Sequence, residues 1–219
     1  MRMRKKKWTA PYLETRSDVM VFSPEEYRGT WRDVVKGNVL HVEIGSGKGD
    51  CWLGMSKLYP EEAWVGVEKV TDVAGIAVRK SEGQVSENMK FVNQDAEDLT
   101  LWFAPKEIDV IHLNFSDPWP KKRNAKRRLT HAGFLARYEE VLSDDGKIIM
   151  KTDNSGLFEY SLVSFAQYGF ILDEVSVDFR RVEHPEDVIT EYERNFMDKG
   201  QPIYRAIWKK GEKVCSKES

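Results

Sequence analysis

Apolar residues fall in short, evenly spaced runs separated by amphipathic stretches, and the two periods alternate along the chain. Val39–Ile44, Trp64–Val67, Met89–Val92, Ile108–Asn114 and Lys147–Lys151 read as strands, each a compact apolar run bounded by turn residues. Between them, Gly49–Leu58 reads as a helix that stops ahead of Pro60, 71–82 as a second and 97–103 as a short third. A longer helix runs from Thr130, as its cap, to Val141–Leu142. A helix over 156–168 and strands near 170–178 and 202–208 complete the pattern, with Val73–Val78 and Leu101–Phe103 as core faces. Upstream, Ser23-Pro24-Glu25-Glu26 reads as a helix start, with Ser23 as N-cap, Pro24 in the first turn and Glu26 reaching back. Strand and helix alternating at this spacing predict a parallel sheet with helices on both faces. Ligands of such sheets sit beyond the carboxyl ends of the strands, so the loops after strands are where chemistry is expected.

The 219 residues fit a single domain over 23–219, preceded by a basic, mobile arm over 1–22. No apolar run approaches the ~20 residues of a membrane span, and the basic start lacks the apolar stretch of a secretory signal. Cys51 and Cys215 cannot build a disulfide framework, and His41, His112, His131 and His184 lack metal-ligand spacing. A reduced, cytoplasmic protein without a metal is expected. The net charge of −2 argues against a nucleic-acid partner until it is resolved along the chain. Residues 1–7 carry five basic groups, residues 121–128 carry six, and neither segment has an acid; the remainder has 23 basic against 36 acidic residues.

The loop after the first strand, Glu43-Ile44-Gly45-Ser46-Gly47-Lys48-Gly49, couples a strand to a helix through a tight glycine turn. Gly45 and Gly47 allow backbone to approach a bulky cofactor without a Cβ clash. An acid at Glu43 repels a pyrophosphate but suits a cationic ligand such as S-adenosylmethionine; a nicotinamide enzyme is the alternative. Glu68 ends the second strand, where a carboxylate can bridge ribose hydroxyls. Asp95-Ala96 follows the third strand, where an adenine edge is expected. Taken alone, each acid is an ordinary loop carboxylate; three after three successive strands point to one site.

After the fourth strand, Asn114-Phe115-Ser116-Asp117-Pro118-Trp119-Pro120 leads into Lys121-Lys122-Arg123-Asn124-Ala125-Lys126-Arg127-Arg128. The prolines stiffen the loop and hold Asp117 and Trp119 at the strand end. An acid and an aromatic beside a basic run suit a flipped nucleobase, with the cations holding phosphates. Thr190-Glu191-Tyr192-Glu193 is also a plain capping box. Asp153 is also an ordinary strand-end turn residue.

The sequence resembles the bacterial tRNA (guanine-N7)-methyltransferase family. The resemblance rests on the glycine loop at 43–49, the segment Ser116–Arg123, Lys151-Thr152-Asp153 and Thr190–Glu193, and spans roughly 35–210. It implies a Rossmann-like class I methyltransferase, α/β, with a mostly parallel doubly wound sheet and an antiparallel edge strand. It implies that Glu43, Glu68, Asp95 and Asp117 line an S-adenosylmethionine site, with Asp117 the catalytic acid. Lys121, Asp153, Thr190, Glu191, Tyr192 and Glu193 would hold the target nucleoside. Arg123, Asn124 (where the family usually has His), Lys126, Arg127 and Arg128 would contact RNA. The implied substrate is guanosine 46 of tRNA and the implied state a monomer or homodimer. The N-terminal run is an expected supporting contact to tRNA. An enzyme methylating an exocyclic base amine, and a non-catalytic RNA-binding module, are the alternatives.

Overall fold

The computed structural model describes residues 5–211. Its elements in chain order begin with α1 (Thr9–Glu14), a 3-10 turn (Pro24–Tyr27), α2 (Trp31–Val34), β1 (Leu40–Ile44), α3 (Asp50–Leu58), β2 (Ala63–Val67), α4 (Thr71–Lys80) and β3 (Met89–Val92). A 3-10 turn (Ala96–Asp98), α5 (Leu99–Trp102), β4 (Ile108–Asn114), a 3-10 turn (Lys122–Arg127), α6 (Ala132–Val141) and β5 (Leu142–Thr152) follow. The chain continues through α7 (Ser155–Tyr168), β6 (Ile171–Ser176), a 3-10 turn (Phe179–Arg181), α8 (Glu191–Met197) and β7 (Tyr204–Lys209). The seven strands form one sheet in the order β3-β2-β1-β4-β5-β7-β6. Strands β1 to β5 are parallel, whereas β7 runs antiparallel to β5 and β6 antiparallel to β7. Strand order reverses between β1 and β4, the crevice where such sheets bind ligands.

Side-chain alternation divides the sheet into two faces. Leu40, Val42, Ile44, Val65, Val67, Ile111, Leu113, Ile148 and Met150 join the helices α5, α6 and α7 in the larger core, which includes Trp102, Phe134, Tyr138 and Phe165. Trp64, Met89 and Phe91 face the other way, against Trp52 and Met55 of α3, Ala74 and Val78 of α4 and Leu13 of α1. The middle of this second face is polar: His41, Glu43, His112, Asn114 and Lys151 are all buried there. The excursion between β6 and β7 closes over it. Tyr59 Oη donates to Glu186 O at 2.9 Å, and Val188 packs so close to α3 that a Cβ on Gly54 would stand 2.7 Å from it.

Three local expectations are corrected. The arm is shorter than 1–22, because Leu13, Val19, Met20 and Val21 are buried and the chain pairs with β3 through Val21 N to Phe91 O and Phe91 N to Val19 O. Residues 1–4 lie outside the described residues. Ser23 makes no side-chain cap, and Pro24–Tyr27 winds as a 3-10 turn rather than a helix. His131, not Thr130, caps α6 through its ring Nδ1 to Gly133 N, while Thr130 is buried and accepts from Ser161 Oγ at 2.9 Å.

His41 and His112 sit side by side, Nδ1 to Nε2 at 2.9 Å, with the His41 ring stacked on Trp64. Burial, and then Lys147, pull His41 down to about 3; burial followed by His41 lowers His112. The unfolded chain protonates both near 6.5. Below that pH the unfolded state therefore binds more protons, and stability falls as pH drops from about 6.5 towards 3. The urea midpoint is expected to be lower at pH 5 than at pH 7, with a smaller drop in a His41→Gln/His112→Gln double variant. An equal drop in both proteins would contradict the neutral pair.

Candidate active site

At the end of β1 the chain turns through Gly45, Gly47 and Gly49, all left-handed, with φ of 75°, 56° and 76°. A Cβ on Gly49 would stand 2.8 Å from Ala77 Cβ, so this glycine serves helix packing. A Cβ on Gly45 or Gly47 would meet nothing nearer than 3.8 Å, and these two border open clefts. Glu43 lies beneath the loop. Its Oε2 accepts from Trp52 N at 3.0 Å and its Oε1 from Asn114 Nδ2 at 2.9 Å, tying β1 to the start of α3 and the end of β4. Burial pushes its carboxyl above the ordinary range. Glu68 is held the same way, by Gly47 N at 3.1 Å and Val70 N at 2.8 Å, and burial raises it too.

Two cavities open over this loop. The larger, about 550 Å³, is bordered by Glu68, Asp95, Ala96, Ser116, Asp117 and Trp119. The smaller, about 260 Å³, is bordered by Glu43, Asn114, Thr190, Glu191, Tyr192 and Asn195. Gly45, Gly47 and Phe115 border both, so the cavities meet across backbone and a single ring. Phe115 (φ 52°) and Trp119 (φ 41°) hold left-handed conformations that side chains disfavour. Neighbouring bonds fix the strained loop: Phe115 N donates to Lys151 O at 2.8 Å, and Arg128 donates to Pro118 O at 2.9 Å and Trp119 O at 3.1 Å.

The far wall is held by buried charges. Lys151 Nζ lies 2.6 Å from Asp187 Oδ2 and 3.4 Å from Glu193 Oε2. Arg180 Nε lies 2.6 Å from Glu193 Oε1, and its NH2 bonds Asp187. Burial works against the Lys151 ammonium, but Asp187, Cys51 and Glu193 outweigh it and its pKa ends above the ordinary lysine value. Glu193 also completes a capping box with Thr190 that starts α8. α8 thus presents Tyr192, whose ring stands 5.2 Å from that of Phe115, while burial and then Asp153 and Asp117 raise its hydroxyl.

The structure therefore brings Glu68, Asp95, Ala96 and Asp117 to one cavity and Thr190, Glu191 and Tyr192 to the other. Glu43 borders the smaller cavity while it holds Trp52 and Asn114, and the fully buried Glu193 is taken by Lys151 and Arg180. Arg128 turns inward, its guanidinium 4.1 Å from the centre of the Tyr160 ring, whereas Lys121, Arg123, Lys126 and Arg127 are exposed and Asn124 is half-buried. Asp153 is half-buried beside the Asn154 cap of α7, and burial raises its carboxyl. Sequence reasoning missed Phe115 and Asn114 as wall residues, and Arg180 and Asp187 altogether. Arg180 and Asp187 sit in an irregular stretch without periodicity. Asn114 was legible only as the end of an apolar strand.

The model of a family described as "Putative methyltransferase" matches residues 37–206. A tRNA (guanine-N(7)-)-methyltransferase of Oceanobacillus iheyensis is 46% identical over 206 residues, 94% of this chain and 97% of that one. The Bacillus subtilis protein of the same name is 46% identical over 207 residues, again 94% of this chain and 97% of that one. The chain belongs to the tRNA (guanine-N7)-methyltransferase family. Solved structures share its fold at low identity. A methyltransferase related to antibiotics superposes with a TM-score of 0.60 at 15% identity, covering 82% of this chain and 92% of that one. A 30S ribosomal A1408 methyltransferase from an uncultured bacterium superposes with a TM-score of 0.57 at 15% identity, covering 85% and 93%.

The class I methyltransferase fold expected for this family is the one observed, with the antiparallel strand β7 next to the edge strand β6. The site fits its methyl donor, S-adenosylmethionine. The larger cavity lies within the usual range for small-molecule sites. The buried Asn114 Oδ1 and Ser116 Oγ, bordering the smaller and the larger cavity, have no partner among the described residues and are left for a polar ligand. In this member of the family the buried quartet is the support of α8. Glu193→Ala leaves Lys151 and Arg180 with Asp187 alone and is expected to cost about 3–5 kcal/mol in urea unfolding. Adding Lys151→Met restores one-to-one pairing and should recover part of the loss. A double-variant loss equal to the sum of the Glu193→Ala and Lys151→Met losses would show that the charges act independently.

Proposed function

We propose that the protein transfers a methyl group from S-adenosylmethionine to N7 of a guanosine in tRNA, at position 46 in the variable loop, and acts in the cytoplasm as a monomer or homodimer. The observation that carries this reading is the junction of the two cavities over Gly45, Gly47 and Phe115, with Glu68, Asp95 and Asp117 bordering the larger and Tyr192 facing Phe115 in the smaller. When bound, the cofactor supplies an electrophilic methyl group on a positively charged sulfur. The Glu68 oxygens, fixed by two backbone N–H groups, keep lone pairs free for ribose hydroxyls at the cavity rim. Asp95, held as a cap by Glu97 N at 3.2 Å, takes the amino edge of the adenine beside Ala96. Asn114 Oδ1 accepts from the ammonium end, steered by the carboxylate of Glu43 on its other atom.

Guanine N7 carries an in-plane lone pair and no proton, so the chain needs no general base; alignment is its main task. Tyr192 and Phe115 form the stacking surface for the base. Asp153 accepts from its N–H groups, and Asp117 offsets the positive charge that develops on the purine. Lys121, Arg123, Asn124, Lys126 and Arg127 hold the flanking phosphates, and Trp119 stays braced under Arg127 at 4.9 Å.

Labelled S-adenosylmethionine with unmodified bulk tRNA is expected to yield 7-methylguanosine on nucleoside analysis. A methylated exocyclic amine, or no methylated nucleoside, would overturn the reading. Asp117→Ala should lower kcat roughly a hundredfold, with cofactor affinity by calorimetry only modestly weakened. Tyr192→Ala should raise KM for tRNA about tenfold, and Tyr192→Phe should restore it, because stacking needs the ring and not the hydroxyl.

A further inference from the structure

The described part of the N-terminal basic run, Lys5–Lys7, is fastened to the active face by an acid that pairs with none of its ammonium groups. Lys6 N donates to Asp72 Oδ1 at 3.1 Å, and Thr9 Oγ1 lies 2.8 Å from the same oxygen and 2.8 Å from Lys6 O. Thr9 is buried. Gly75, one turn along α4, makes room for it, since a Cβ there would stand 2.6 Å from Thr9 Cβ. Arg79 adds a second hold, its guanidinium 5.1 Å from the centre of the Trp8 ring. Asp72 lies in the first turn of α4, where a negative charge is also favoured by the helix dipole. Lys5 and Lys7 are exposed, and neither forms an ion pair among the described residues.

This clasp decides where the charges stand. Val70 borders the larger cavity and Val73 the smaller, so Asp72 holds the run at the active end of the sheet. β2 and β4 flank β1 on opposite sides. The start of α4, after β2, and the loop Lys121–Arg127, after β4, therefore stand on opposite banks of the cofactor cleft. Outside its two basic runs the chain carries 23 basic and 36 acidic residues, so a polyanion has little else to hold.

We propose that Lys5, Lys6 and Lys7, clasped by Asp72 and Thr9, form a second phosphate-binding bank, so that RNA is gripped on both sides of the nucleoside being methylated. The inference rests on tRNA being the substrate. Lysine ammonium groups bind phosphate as point charges and need no fixed side-chain geometry, only a fixed backbone to stand on.

The test is tRNA affinity by fluorescence anisotropy between 50 and 200 mM KCl, with wild type and three variants. Lys5→Gln/Lys6→Gln/Lys7→Gln should lower the log–log salt slope by about 2, at roughly 0.7–0.9 per lost contact. Asp72→Ala removes a negative charge from the RNA-facing side, so charge alone would tighten binding; the clasp predicts binding at least threefold weaker and a flatter slope. Thr9→Val keeps every charge and the β-branch and should shift binding in the same direction as Asp72→Ala. Thermal melts and cofactor calorimetry on each variant separate a loosened clasp from a damaged fold. An unchanged slope in the triple variant, or equal or tighter binding by a folded Asp72→Ala protein, would overturn the proposal. Failure of wild type to form 7-methylguanosine would instead overturn the substrate reading.

Discussion

The active face depends on four charges closed on one another beneath it. Lys151 at the end of β5 meets Asp187 and Glu193 from the β6–β7 excursion, and Arg180 binds the same two acids from the other side. Two cations and two carboxylates cancel, which is the condition under which such groups tolerate burial. The excursion has no apolar periodicity of its own to dock it; Val188 against α3 and this quartet fasten it to the sheet. Lys151 serves the opposite wall as well, since its carbonyl takes the N–H of the strained Phe115. A single strand end thus sets both the loop after β4 and the helix α8 that faces it.

Electrostatics on the two sides of the cleft oppose each other by design of the ligands. Acids gather along the larger cavity, and Glu68 and Asp95 among them are pinned by backbone N–H groups so that their remaining lone pairs have a fixed direction. Exposed cations gather on the loop that leaves β4 and on the segment that precedes α1. A net charge of −2 is the remainder of two unrelated tasks and describes neither.

The architecture was legible because parallel strands buried on both faces are short and largely apolar, and β1 to β4 lie within a residue of their expected ends. By contrast, β5 begins at Leu142, five residues ahead of the expected Lys147, through the polar stretch Ser143–Gly146. The glycine loop and the acids after β2 and β3 were legible for a related reason: a motif at a strand end has only one place to go. Residues whose partners lie far away in sequence were not. Glu43 looked only like a ligand for a cation, and its second task of tying β1 to Trp52 and Asn114 was not visible. Glu193 looked like a base reader, yet it lies wholly inside the quartet. Arg128 looked like the end of a basic run, and its backbone partners Pro118 and Trp119 emerge only once the loop folds back on itself. The helix-like Leu13 was hidden by the cations before it, although it packs under α4.

Among the described residues, Gly45, Gly47 and Phe115 alone border both cavities. The border itself offers two glycine backbones and one ring, and the polar groups stand on the walls to either side of it. A different acceptor would therefore ask for a different β6–β7 excursion and a different loop after β4, while the two glycines could stay as they are.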